Sequence, residues 1–147
     1  MPFVRTRAAT PDDLALTYAI TEDAMRGYVE QTWGKWDEEE QLQKHRANFT
    51  PETCRIILVE GEVAGLFVVE NFPSHVWLVK LYLLAAYRGQ GIGSTVLQTV
   101  QEDARVQGKP VTLRVLRVNN RAQALYARHG FKVTEETAER LHMASGA

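Results

Sequence analysis

The sequence is poor in the features that would tie it to metals, disulfides or membranes. Cys54 is the one cysteine among 147 residues, so no disulfide can form within the chain. The four histidines are scattered, and with a single thiol they show none of the close spacing of a zinc site, so no metal is expected. No apolar run approaches the roughly 20 residues that cross a bilayer. The start, Met1-Pro2-Phe3-Val4-Arg5, lacks the charged and apolar stretches of a signal peptide. A cytoplasmic location with no membrane partner is the expectation. Strong charge of one sign is missing too. The formal net charge is −1 and no basic run or stripe is visible, whereas a nucleic-acid binder needs a concentrated positive face. No nucleic-acid partner is expected, and there is no repeat, linker or low-complexity tract.

What remains is an ordinary globular composition, 45% hydrophobic and 24% charged. At this length one domain over residues 1–147 is expected, with one core that needs no covalent staple.

Periodicity and punctuation give the elements. Phe3 to Arg7 alternates as a short strand. Thr10-Pro11-Asp12-Asp13 opens a helix, with a cap, a first-turn proline and two acids that complement the dipole. That helix should run to about Tyr28, followed by a break from Glu30 to Trp36 around Gly34. Asp37-Glu38-Glu39-Glu40 opens a second helix that Pro51 ends near Phe49. Arg55–Val59 and Val63–Glu70 read as a hairpin about Glu60-Gly61-Glu62. Val76–Leu84 is a strand, Gly91–Gln107 a helix stopped by Gly108-Lys109-Pro110, and Val111–Val118 a strand rich in β-branched residues. Asn119 or Asn120 caps a helix that reaches His129 and closes at Gly130. Phe131–Met143 suits a terminal hairpin. The order is α/β with a mixed sheet.

Two stretches carry chemistry. Arg88-Gly89-Gln90-Gly91-Ile92-Gly93 joins an apolar strand to an amphipathic helix. Its glycines let bare N–H groups approach a ligand, and the helix start adds more of them with a positive dipole end. Such a turn suits a pyrophosphate, and Arg88 can add a charge-assisted contact. The Gly-Lys-Ser/Thr ending of a P-loop is absent. A dinucleotide fingerprint forced onto Gly89, Gly91 and Ser94 lacks the acid about 20 residues on. The second stretch is Asn119-x-x-Ala122-x-x-Leu125-Tyr126-x-x-x-Gly130-Phe131.

Together the two stretches resemble the GNAT superfamily of acyl-CoA-dependent N-acyltransferases. Arg88, Gly91 and Gly93 match its Arg/Gln-x-x-Gly-x-Gly/Ala coenzyme motif, and Asn119 through Phe131 match its downstream helix motif. The resemblance implies a mixed, mostly antiparallel central sheet flanked by helices and splayed between the fourth and fifth strands. It implies acetyl-CoA as co-substrate, with main-chain contacts at Leu81 and Leu83. Arg88, Gly89, Gln90, Gly91, Ile92 and Gly93 would hold the pyrophosphate, and Asn119 the pantetheine arm. Tyr126 would be the general acid. The strand Val76–Leu84 lacks the glutamate some relatives carry, so Glu70 is the substitute base, with His75 second. The acceptor, a small-molecule or peptide amine, would meet Tyr28, Glu30, Trp33 and Asp37, near Gln31 and Trp36. Ala85-Ala86 stands where many relatives have proline. The family also admits a homodimer. The reaction implied is direct acetyl transfer without a covalent intermediate; the other reading is a non-catalytic acyl-CoA sensor.

Overall fold

The computed structural model describes residues 3–146. It contains a seven-stranded sheet in the order β1-β2-β3-β4-β5-β7-β6. The strands are β1 (Val4–Ala8), β2 (Cys54–Val59), β3 (Glu62–Asn71), β4 (Val76–Leu83), β5 (Val111–Leu116), β6 (Lys132–Glu136) and β7 (Arg140–Ser145). Neighbours β4 and β5 run parallel, and the pairs β1–β2, β2–β3, β5–β7 and β6–β7 run antiparallel. The helices are α1 (Leu14–Trp33), α2 (Glu38–Asn48), α3 (Ile92–Val106) and α4 (Asn120–Arg128). This is the mixed α/β arrangement that the sequence motifs imply. Two compact units divide the chain. One holds residues up to Val68 with Lys80–Arg88, and the other holds Val69–Val79 with residues from Gly89 onward.

The first unit is built on β2. Its neighbours Ile56 and Ile57 point to opposite faces, and both are fully buried, so this strand is covered on both sides. Ahead of α1, Asp13 accepts from the Thr10 N–H at 2.9 Å and from Arg7 at 2.8 Å. The Arg7 hydrogen bond, helped by the Thr10 backbone, holds the Asp13 carboxyl down at about 2. The expected helix break at Glu30 does not occur. Helix α1 continues to Trp33 and stops at Gly34, whose φ of 95° places it in the left-handed region. Thr32 donates its hydroxyl back to the Tyr28 carbonyl at 2.8 Å, a bond a helix tolerates. The cause is local: Glu30, Gln31 and Thr32 tolerate helix, and glycine is the first residue that ends it cheaply.

His45 on α2 is buried under Tyr18 and Phe49, with ring centroids 5.6 Å away in each case. Its Nε2 lies 2.8 Å from the Thr17 hydroxyl. Burial, together with the Lys80 charge, pushes the imidazole below its ordinary value, against the Leu14 backbone, which favours the cation. Burial also depresses the Lys80 ammonium.

In the second unit, Val111, Leu113 and Val115 bury one face of β5, and α3 packs against that strand. Buried Ile92, Val96, Leu97, Val100 and Ala104 form the stripe along α3. Strand β5 ends at Leu116, two residues before the expected Val118. Strand β7 runs on to Ser145, past the expected Met143.

Between the Phe72 N–H···O His75 bond and the Leu84 N–H···O Ala64 bond, β3 covers eight steps and β4 nine. One extra residue therefore sits in β4, as in a bulge, and a bulge leaves main-chain groups outside the ladder. Gly65 makes room for it. A Cβ added there would collide with the Tyr82 carbonyl oxygen and lie 3.0 Å from Leu83 Cα.

Two stability outcomes follow. Gly65→Ala should lose about 1–3 kcal/mol by overpacking. Gly27→Ala, in α1 with open space around it, should gain about 0.5–1 kcal/mol; urea unfolding of both measures the contrast. Because His45 titrates lower when folded, the unfolded chain binds the extra proton first. Stability present above about pH 6.5 is then lost as pH falls through the depressed folded value. Thermal midpoints from pH 7.5 to 5 should drop in wild type and flatten in His45→Gln.

Candidate active site

The turn after β4 is assembled by side chains that reach back to it. Arg88 donates from Nε to the Leu83 carbonyl at 3.0 Å and from a terminal nitrogen to Asp23 Oδ2 at 3.2 Å. Asp23, on α1, also accepts from the Ala85 N–H at 3.2 Å. One carboxylate and one guanidinium thus fasten both ends of the short 3-10 turn Ala85–Tyr87. The Arg88 side chain is bound into the scaffold, so its placement serves the geometry of the loop. The Leu83 carbonyl is likewise taken. Leu81 lies half-buried on β4.

Beyond Arg88 the backbone enters the left-handed region twice, at Gly89 (φ 75°) and Gly91 (φ 82°). L side chains avoid that region. Gly91 is the residue before α3, and no side chain caps that helix start. Helices α2 and α4 differ in this respect. Asp37 accepts from the Glu40 N–H at 3.0 Å to start α2, and Asn119 accepts from the Ala122 N–H at 3.1 Å to start α4. Uncapped, the first turn of α3 presents N–H donors and the positive end of a 15-residue helix. Ile92 and Gly93 are buried beneath it, and Gln90 is exposed at the tip. Ser94 is tied to His129 Nε2 at 3.0 Å, which anchors this turn to the end of α4.

Arg121 escaped the sequence reading. Its terminal nitrogen would lie 3.4 Å from a Cβ on Gly89, so a guanidinium lies against the glycine turn. The one signal was its place two residues after Asn119, in the first turn of α4. Linear spacing cannot show that this turn faces Gly89.

Tyr126 is buried, 7% exposed, with its ring 5.6 Å from Phe131. Its carbonyl accepts from the N–H groups of His129 and Phe131, both at 3.0 Å, and so closes α4 at the Gly130 turn. Glu70 is half-buried near the end of β3. His75 pairs with the Ser74 hydroxyl at 2.9 Å and stacks on Phe72.

Residues 17–131 match the profile of the Acetyltransferase (GNAT) family. The chain belongs to this family. An uncharacterized N-acetyltransferase of Mycobacterium tuberculosis is 33% identical over 100 residues, 65% of this chain. The match spans 64% of that relative's length, slightly under two thirds. The aminoalkylphosphonate N-acetyltransferase of Salmonella typhimurium is 28% identical over 145 residues, covering 90% of this chain and 87% of that protein. Among solved structures, the PaiA N-acetyltransferase from Thermoplasma acidophilum, in complex with coenzyme A, superposes with a TM-score of 0.77. It covers 99% of each chain at 18% identity, a likeness of fold.

The residues singled out for an acceptor in this GNAT chain hold varied positions. Glu30 is exposed and ion-paired with Arg26 Nε at 3.5 Å. Asp37 is the α2 cap. Tyr28 is half-buried, and Trp33 is 48% exposed on the last turn of α1. Trp36 is buried beside Tyr18 and donates to Glu38 at 3.2 Å. Among the described residues, no group of three or more His, Cys, Asp or Glu side chains could hold a metal ion.

If Arg88 acts by holding the turn, Arg88→Gln and Asp23→Asn should each weaken acetyl-CoA binding. The double variant should lose less than the sum of the two singles, because the Arg88–Asp23 ion pair is lost in all three. Calorimetric titration of the three proteins checks this; additive losses would mean that Arg88 acts independently of Asp23.

Proposed function

We propose that this protein transfers the acetyl group of acetyl-CoA directly to an amine of a small molecule or peptide. The observation that carries the reading is the uncapped start of α3 behind two left-handed glycines, in a chain of the GNAT family. In this reading the N–H groups of the Gly89–Gly93 segment donate to the pyrophosphate, with Arg121 adding charge from α4. Main-chain groups of β4 near Leu81 pair with the pantetheine arm, and Asn119 contacts it while capping α4. The Thermoplasma relative's bound coenzyme A supports the choice of donor. The Salmonella relative's named acceptor supports a small amine.

The chemistry asks little of the protein. A neutral amine attacks the thioester carbon, the C–S bond breaks, and the departing thiolate takes a proton from Tyr126. Positioning supplies much of the rate, and a general acid adds about 10² to 10⁴. The amine's own proton must also leave. Glu70 takes it through water; β4 has no acid of its own. Cys54 is buried, and burial pushes its thiol up, so a thiolate nucleophile is disfavoured and direct transfer fits better. For the acceptor, Tyr28 and Trp33 offer aromatic surface, while Glu30 and Asp37 already have partners.

Thiol release from acetyl-CoA across an amine panel separates this reading from a sensor that only binds acyl-CoA. Tyr126→Phe keeps the ring and its packing against Phe131. It should lower kcat by about 10² to 10⁴ with acetyl-CoA affinity and Tm little changed. Normal turnover in a folded Phe variant would make Tyr126 a packing residue.

A further inference from the structure

Strand β5 has two faces of different character. Val111, Leu113 and Val115 are buried on one, while Thr112 and Arg114 point to the other. Trp77 on β4 pairs with Thr112 in the parallel ladder, and the ladder's last pair is Leu78 with Leu113. Arg114 is therefore the first residue of its face beyond the point where that ladder ends. Its guanidinium carbon sits 5.5 Å from the centre of the Trp77 ring, within range of a cation–π contact. Trp77 in turn neighbours Phe72 at 6.5 Å, and Phe72 stacks on His75 at 4.9 Å.

Two carboxylates of β6 have other partners. Opposite Arg114 on β7 stands His142, which faces Glu135 at 4.0 Å. Glu136 pairs with Arg117 at 3.1 Å. Among the described residues, no hydrogen bond or ion pair engages the Arg114 guanidinium. A permanently charged fork, oriented by an indole and left with its donors open, is suited to a planar or tetrahedral oxyanion.

We infer that Arg114, oriented on Trp77, binds an anionic group of the acceptor, so that the acceptor is an amine that also carries a carboxylate, phosphonate or phosphate. The aromatic row Phe72, His75 and Trp77 lies beside the short carbon linker between the two groups. This inference rests on the acetyl-transfer reading and narrows its acceptor.

The test compares matched amines: 2-aminoethylphosphonate and β-alanine against ethanolamine and β-alanine amide. Wild type should favour the two anionic acceptors by about ten- to a hundredfold in kcat/KM, the change a charge-assisted hydrogen bond brings. In Arg114→Gln that preference should collapse towards one through KM, and Arg114→Lys should keep part of it. The two anionic probes against each other tell a phosphonate site from a carboxylate site. Acetylation with no preference for the anionic amines, or a preference that survives Arg114→Gln, would overturn the inference and leave acetyl transfer standing. If no amine releases thiol, the transfer reading fails. The anion site is then judged by tryptophan fluorescence with 2-aminoethylphosphonate and β-alanine. Saturable quenching should vanish in Trp77→Phe and in Arg114→Gln, and its absence in wild type would end the proposal. Circular dichroism confirms that each variant is folded.

Discussion

The N–H groups in the first turn of a helix have no partner inside that helix, and much of this protein's local architecture follows from leaving those of α3 uncapped. Helices α2 and α4 start on side-chain caps from Asp37 and Asn119. Helix α3 starts on Gly91, which has no side chain to offer. The chain must then reach that start without screening it, and two glycines in the left-handed region meet that demand. A loop of this kind is soft by nature, since glycine has the most freedom to lose. Its stiffness comes from outside: Asp23 and Arg88 hold the entry, and Ser94 with His129 holds the first turn.

In the proposed reading, that arrangement also accounts for a polyanion site on a chain of net charge −1. Net charge acts at long range and is screened within about 8–10 Å in physiological salt. A helix start and a nearby guanidinium act at contact distance, where screening is weak. In α1 and α2, Glu22 and Glu30 pair at i,i+4 with Arg26, and Glu40 pairs with Lys44. Their charge is balanced locally and contributes little elsewhere.

The element order could be read because each element carries its own signals. Amphipathic character marked α3, a hairpin about Glu60-Gly61-Glu62 marked β2 and β3, a β-branched run marked β5, and glycine or proline punctuation marked the turns. The end of α1 was misplaced because Glu30 to Thr32 carry no stop signal, and Gly34 ends a helix as readily as it fills a loop. The glycine turn was visible as a turn, since the demand for positive φ is written into residue identity. Asp23, Arg121, Trp77 and Arg114 were not visible as parts of a site. Each matters through a partner distant in sequence, and one sequence holds no record of that pairing. The extra residue in β4 was hidden for a related reason: bulges change register without changing composition.

Three arginines show how the fold decides what sequence leaves open. Arg88, Arg114 and Arg121 have the same charge and the same five donors. Arg88 spends its Nε and one terminal nitrogen on the Leu83 carbonyl and on Asp23, so it ties the loop to α1. Arg121 lies against a glycine turn with no carboxylate paired to it among the described residues. Arg114 rests on an indole, which fixes its direction and uses none of its donors. A guanidinium whose donors are met inside the chain is part of the scaffold. One held in place by its face, with its edge unmet, is disposed to take an anion from outside. The motif at residues 88–93 drew attention to the first of these, yet the guanidinium groups with no hydrogen bond or ion pair inside the chain, among the described residues, are the other two.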